Sequence, residues 1–211
     1  MMEKILIVGA HFDDAELAAG GAAAKFIKQG KQVYKITLTD NEAKSADMDL
    51  DISLERTQAC SADACRRLGG VVEIPFPPQV YGRLRYSQEL MQRLEHIIFE
   101  FSIDTVFFHS NEDYNTDHLA AYQICKTAAR LCRNLFMFHT NPYILEQGFS
   151  PNFFVDISEE IELKRSALAC YEAKQNREGK LFETVIQRNA VWGYGNRCAY
   201  AEGFRAIKYL I

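Results

Sequence analysis

Short apolar runs rich in β-branched and aromatic residues alternate along this chain with longer stretches of helical periodicity. Strands are expected at Ile5–Val8, Gln32–Leu38, Val71–Ile74, Thr105–His109 and Leu135–His139, with a further short apolar run at Phe153–Ile157. Helical spacing fills most of the gaps: about Glu16–Gln29, Leu54–Leu68, Ser87–Phe101, Asp117–Cys132 and Ser158–Gln175. Gly30 and the Gly69-Gly70 pair stand where helix C-caps belong. Strands alternating with helices of this length predict right-handed βαβ units. The expected fold is therefore α/β, a Rossmann-like three-layer α/β/α arrangement around a mostly parallel sheet.

Two connections are longer than a turn requires. One, Thr39 to Ser53, is acidic and polar; the other, Pro75 to Arg85, carries Pro75, Pro77, Pro78, Tyr81 and Gly82. Both follow strands, so both should rim one face of the sheet, and loops of this length usually have a function or are mobile. The chain closes on an aromatic and glycine-rich tail, and it has no internal repeat or low-complexity tract. With 211 residues, 48% of them hydrophobic, it can bury one good core, and a single domain over 1–211 is expected.

Charge narrows the range of partners. The formal net charge is -4, with lysines and arginines scattered and never more than two in a row, so neither a nucleic-acid footprint nor a polybasic membrane patch is present; a small-molecule partner is expected. The six cysteines, Cys60, Cys65, Cys125, Cys132, Cys170 and Cys198, include no CxxC and read as core thiols of a reducing compartment. The start, MMEKILIVGA, enters a strand directly and has no signal-peptide pattern, and no run of about 18 apolar residues occurs. A cytoplasmic location without a transmembrane segment is expected.

Candidate chemistry concentrates at the carboxyl ends of two strands, where open α/β sheets bind their ligands. After the first strand, VGAHFDDAELAAGG places His11, Asp13 and Asp14 in one turn. His11 and Asp14 are i and i+3, a spacing that a tight turn brings within roughly 7 Å between Cα atoms. A dinucleotide site would need GxGxxG here, and two carboxylates stand where phosphate oxygens would sit, so phosphate binding is disfavoured. Either aspartate alone also suits a helix N-cap. After the Thr105–His109 strand, HSNEDYNTDHLAAY places Asp117 and His118 at a helix start, where such residues also serve as caps. A catalytic zinc site takes three ligands from His, Asp, Glu and Cys and leaves a fourth position open. His11, Asp14 and His118 form such a set, and Asp117 remains for an outer hydrogen bond or a cap.

These residues carry a family resemblance. AHFDDAELAAGG resembles the AHPDDxExxxGG signature of the PIG-L (LmbE-like) zinc deacetylases, and NTDH resembles their second metal motif, usually HPDH or HQDH. Arg56 in LERTQA, the run SPNFFVDIS, the following KRSALACYEAKQ and the tail RNAVWGYGNRCAYAEGFRA extend the similarity over nearly the whole chain. The resemblance implies a metal-dependent amide hydrolase of LmbE-like fold that removes acetate from an N-acetylated amino sugar or sugar conjugate. It implies that zinc, or another divalent metal, is held by His11, Asp14 and His118. Asp13 would be the general base, Asp117 would orient a neighbouring imidazole, and Arg56 would contact sugar hydroxyls. An amidase on another C–N bond, or a catalytically weakened sugar-binding homologue, are the alternatives. Related enzymes often oligomerise, and the aromatic tail would suit a homo-oligomer.

The chain departs from the family pattern at two positions. Phe12 replaces a proline, and Asn115 replaces a histidine that helps stabilise the oxyanion. An oxyanion donor is worth about 2.7 to 4 kcal/mol, and His109, at the end of the preceding strand, is a candidate replacement. His139 ends another apolar strand and either packs there or faces the site. Arg197 and Glu202 are candidate braces, Trp192, Tyr194 and Tyr200 read as core or interface, and His96 has no assigned role.

Overall fold

The computed structural model describes residues 2–45, 50–141, 148–175 and 180–210. Its elements in chain order are β1 (Lys4–Gly9), α1 (Asp14–Lys28), β2 (Gln32–Thr37), β3 (Ala43–Ser45), β4 (Leu50–Ile52), α2 (Leu54–Arg67), β5 (Val72–Glu73), α3 (Gln88–Glu100), β6 (Thr105–His109), α4 (Thr116–Ala128), β7 (Asn134–Phe138), β8 (Phe153–Asp156), α5 (Ile161–Gln175), α6 (Lys180–Gly195) and β9 (Ala201–Lys208). Seven strands form one sheet in the order β5-β2-β1-β6-β7-β9-β8. The five from β5 to β7 are parallel; β9 runs antiparallel to β7, and β8 antiparallel to β9.

Side-chain alternation along β1 explains the layers. Ile5 and Ile7 face one side, where they meet α1, α2, α5 and α6 in a cluster that includes Leu17, Phe26, Cys65, Leu168 and Ile186. Leu6 and Val8 face the other side, against α3 and α4 through Leu94, Ile98, Ala121 and Ile124. Central strands covered on both faces need continuous apolar runs, and β6 and β7 are buried at every residue. The expected three-layer, mostly parallel α/β/α fold is the one observed.

Two regions go beyond the expected elements. The acidic connection after β2 folds into the small antiparallel β3–β4 pair, whose linking residues 46–49 lie outside the described residues. The aromatic tail forms α6 and then β9, which joins the sheet between β7 and β8. Gly30 and Gly69, with φ of +81° and +97°, end α1 and α2 as expected. All six cysteines are free thiols, five of them buried. Among the described residues no helix is long and apolar enough to cross a membrane.

From β1 the chain winds outward through β2 to β5 and then returns to start again at β6, on the other side of β1. The carboxyl ends of β1 and β6 therefore lie at a topological switch point, where open α/β sheets leave a crevice.

Candidate metal centre at the switch point

The turn after β1 is tight, and Gly9 makes it possible. A Cβ there would stand 2.8 Å from the His11 carbonyl oxygen and 3.0 Å from the Asp14 Cβ. Asp14 Oδ2 accepts the His11 backbone N–H at 2.7 Å, so the carboxylate folds back across the turn. Asp13 occupies the N-cap position of α1 with φ -90° and ψ -11° and makes no side-chain cap hydrogen bond. N-cap residues usually adopt an extended backbone and turn their side chain onto the helix. The buried Asp13 carboxylate is thus not used as a cap.

Three donors meet across the switch point. His11 Nδ1 lies 3.1 Å from His118 Nε2 and 3.4 Å from Asp14 Oδ2, and His118 Nε2 lies 3.4 Å from Asp14 Oδ1. All three residues are buried. Ligands bound at about 2.0–2.1 Å in a tetrahedral array stand roughly 3.3–3.4 Å apart. The donor set and its spacing therefore fit a divalent cation such as zinc, with each residue offering one lone pair.

The outer nitrogens set the tautomers. His118 Nδ1 faces Asp113 Oδ2 at 2.7 Å, and His11 Nε2 faces Asp117 Oδ2 at 3.3 Å. With an ion bound, each imidazole would donate its outer N–H to a carboxylate and turn its other nitrogen to the ion, the arrangement that orients metal-ligating histidines. Asp117 also accepts the backbone N–H groups of Gly82 (2.7 Å) and Leu84 (3.0 Å), which ties the long Pro75–Arg85 loop to the site. That loop sets Tyr81, 39% exposed, with its ring centroid 5.1 Å from that of His11. Asp113 was not anticipated from the sequence; its Oδ1 accepts the Asn115 backbone N–H, a local turn just before a helix, and that turn is the one signal that marks it.

Charge follows from this packing. Burial alone would lower the His11 imidazole, but the carboxylates of Asp14, Asp117 and Asp13 outweigh it and raise the group to about 10. Burial would raise Asp14, yet His118, His109 and His11 hold it well below the usual carboxylate range. Asp113 and Asp117 are likewise lowered, against burial, by His118 and His11 respectively.

The remaining expected residues are distributed as follows. His109, fully buried, has Nε2 3.0 Å from Asp14 Oδ2 and 3.0 Å from the Ala10 backbone nitrogen, while its Nδ1 has no hydrogen-bond partner. Burial and the adjacent His118 push it down to about 4, so it is a neutral ring whose Nε2 serves one of these two neighbours at a time. His109 also belongs to a second group of donors, with Asp113 and His118. Asn115 is the N-cap of α4, its Oδ1 taken by the Asp117 backbone N–H at 2.9 Å. Arg56 stands exposed in the first turn of α2 and is not part of the cluster. His139 is buried with Nε2 3.6 Å from Asp113 Oδ2, too long for a hydrogen bond. Glu202 is fully buried and braces α1 rather than the cluster, whereas Arg197 is exposed.

Over residues 6–129 the sequence matches the PIG-L family, described as GlcNAc-PI de-N-acetylase. The chain belongs to the PIG-L family. Two of its curated relatives are deacetylases, enzymes that hydrolyse amide bonds. One is the uncharacterized deacetylase YaiS of Escherichia coli (strain K12), 26% identical over 74% of this chain and 83% of that protein. The other is the diacetylchitobiose deacetylase of Thermococcus kodakarensis, 23% identical over 98% of this chain and 84% of that protein. A solved structure of the same fold is GalB, the 4-carboxy-2-hydroxymuconate hydratase of Pseudomonas putida KT2440. It has a TM-score of 0.82 and 22% identity and covers 100% of this chain and 98% of that one. This PIG-L member therefore shares its fold with enzymes of more than one chemistry, and its own function has to be argued from the site.

Proposed function

We propose that this PIG-L member is a metal-dependent N-deacetylase that removes acetate from an N-acetylated amino sugar or its conjugate. The observation that carries this reading is the convergence of His11 Nδ1, Asp14 and His118 Nε2 at 3.1–3.4 Å beside a buried aspartate that does not cap its helix. The family and its deacetylase relatives support the amide-hydrolase chemistry and the N-acetyl sugar substrate. The 211 residues act as one catalytic unit, in the cytoplasm, on a small molecule.

His11, Asp14 and His118 would hold the ion. A zinc ion, or another divalent metal, would supply Lewis acidity there to the amide carbonyl and to the attacking water. The protein's own groups do the rest. Asp13 takes the proton as water adds to the acetyl carbonyl carbon. It returns that proton to the amide nitrogen as the C–N bond breaks, which releases acetate and the free amine. Asp113 and Asp117 hold the two imidazoles in register. Tyr81 packs beside His11, and Arg56, which stands outside the cluster, would contact sugar hydroxyls only as the family resemblance implies.

Asn115 favours a second reading, a catalytically weakened sugar binder, because its carbonyl oxygen is committed to the α4 cap and its amide supplies neither charge nor a proton. His109 stands against Asp14, so as oxyanion donor it would have to leave that carboxylate. A screen of N-acetylated sugars for free-amine release, run with Asp13→Asn alongside, separates the readings. Deacetylation that is lost in Asp13→Asn while metal content is kept supports the enzyme. Sugar binding without turnover supports the weakened binder, and no metal uptake refutes the enzyme.

A further inference from the structure

Behind the His11–Asp14 turn lies a buried ion pair that the chemistry above leaves unused. Lys35 of β2 and Glu16 of α1 are 0% and 1% exposed, with Nζ 2.8 and 3.0 Å from the two carboxylate oxygens. Burial would lower the Lys35 ammonium, but Glu16 beside it holds it above the usual lysine value. Nζ also donates to Ser61 Oγ of α2 at 2.9 Å and to the Phe12 carbonyl oxygen at 2.6 Å. Tyr171 of α5 donates its hydroxyl to the same carbonyl at 2.8 Å. Two elements, β2 through Lys35 and α5 through Tyr171, thus converge on one peptide, the link between Phe12 and Asp13, while Glu16 and Ser61 hold the lysine in place.

A buried ion pair is a poor device for stability, because well-packed apolar residues often do as well or better in its place. What this one grips is more informative. An aspartate at an N-cap normally turns onto the N–H groups two or three residues on, which here belong to Ala15 and Glu16. Asp13 is at that position, yet its φ and ψ are helical and its carboxylate does not cap. It is buried, 3% exposed, and stands between the ligand residues His11 and Asp14 in the chain. The Phe12 carbonyl, pulled inward by two donors, fixes the plane of the peptide that leads into Asp13.

We propose that Lys35, together with Tyr171, is a positioning residue that grips the Phe12–Asp13 peptide and so keeps the Asp13 carboxylate off the helix cap, as its role as base requires. The proposal rests on Asp13 being the base of the deacetylase reading. Its effect is on catalysis, because the ligand atoms of His11, Asp14 and His118 are oriented by other groups.

The test uses Lys35→Met, the paired Lys35→Met/Glu16→Gln that leaves no unpaired buried carboxylate, and Tyr171→Phe, each in the native and the Asp13→Asn background. Misplacing a reacting group by about 1 Å costs about 10²-fold, so Lys35→Met should lower kcat by about that factor with KM and zinc content unchanged. Tyr171→Phe keeps the ion pair, folds if the lysine variants do not, and should lose about tenfold, the worth of one hydrogen bond. In the Asp13→Asn background neither change should lower the residual rate further. Crystal structures of the variants should show the Asp13 carboxylate on the Ala15 or Glu16 N–H. Losses that multiply with Asp13→Asn, or an Asp13 side chain that stays put, overturn the proposal. If Asp13→Asn itself keeps full activity, it is the base assignment that falls.

Discussion

Asp113→Asn is a sharp test of how the site is held together. The Asp113 carboxylate uses both oxygens: Oδ1 accepts the Asn115 backbone N–H at 2.8 Å, and Oδ2 accepts His118 Nδ1–H at 2.7 Å. An amide has one acceptor oxygen and one NH2 group, so it cannot serve both donors. If the oxygen stays with Asn115, the NH2 faces His118 and favours the tautomer protonated on Nε2, the nitrogen that would ligate the ion. If the amide flips, the NH2 opposes the Asn115 N–H and loosens the start of α4. Loss of such an outer carboxylate costs about 10–100-fold in metal affinity, or about 1.4–2.8 kcal/mol. Both partner side chains are 2% exposed, so water cannot easily replace the lost acceptor. Competition of the purified apoprotein against a chromogenic zinc chelator measures the affinity directly. A folded Asp113→Asn protein that binds zinc within twofold of the parent refutes the assignment of His118 Nε2 as ligand with Asp113 as its orienter.

Two further outcomes follow from the same geometry. Chelation should abolish turnover and lower the melting temperature: an ion at a hundred times its Kd adds about 2.7 kcal/mol, roughly 5–11 °C for a chain of this size. A melting curve unmoved by chelator and by added zinc would count against the centre. Asn115→Ala removes the α4 cap hydrogen bond to Asp117, so thermal unfolding should show a loss of about 1 kcal/mol, or about 2–4 °C; an unchanged melting temperature would show that the cap is not needed.

How far the sequence could be read depended on whether a residue's partner is local. The strands β1, β6 and β7 were legible because a strand buried on both faces must be apolar throughout, and His11, Asp14 and His118 because each follows such a strand at a helix start. β9 was not: AEGFRAIK carries a glycine and a charge, Glu202, in its buried half, where only the fold supplies the Lys164 partner, and its second half is more exposed. Lys35 sits in QVYKIT on the same face as buried Val33, yet a lysine reads by type as solvent-facing; only the fold brings Glu16, Ser61 and Tyr171 around it. Asp113 escaped notice although its partners Asn115 and His118 are near in sequence, because an aspartate before a helix start reads equally well as a plain turn residue. Whether Asp13 caps α1 or leaves the cap free could not be decided from spacing, because both choices use the same residue at the same position and differ only in two backbone angles.

Glu202 shows how a distant residue shapes the same helix. α1 is broken at Ala19, where φ is -138° and ψ is 17°, so its second half begins with backbone N–H groups that have lost their helical acceptors. Glu202 of β9 accepts two of them, from Gly21 at 3.0 Å and Ala22 at 2.7 Å, while Lys164 of α5 pairs with Glu202 at 2.6 Å and donates to the Leu17 carbonyl of the first half at 2.8 Å. The ion pair thus caps both sides of the break, and the half of α1 that carries Asp14 takes its direction from it. In Glu202→Gln the fully buried Lys164 loses its counter-charge, and one of the two N–H groups meets an NH2 instead of an oxygen. Breaking a buried pair in this way costs about 3–5 kcal/mol, a large share of the 5–15 kcal/mol typical of a folded domain. Urea unfolding should register that loss, and Glu202→Gln/Lys164→Met should regain part of it because no unpaired charge remains. A single-variant loss below about 1 kcal/mol would mean that the break in α1 is held by packing alone.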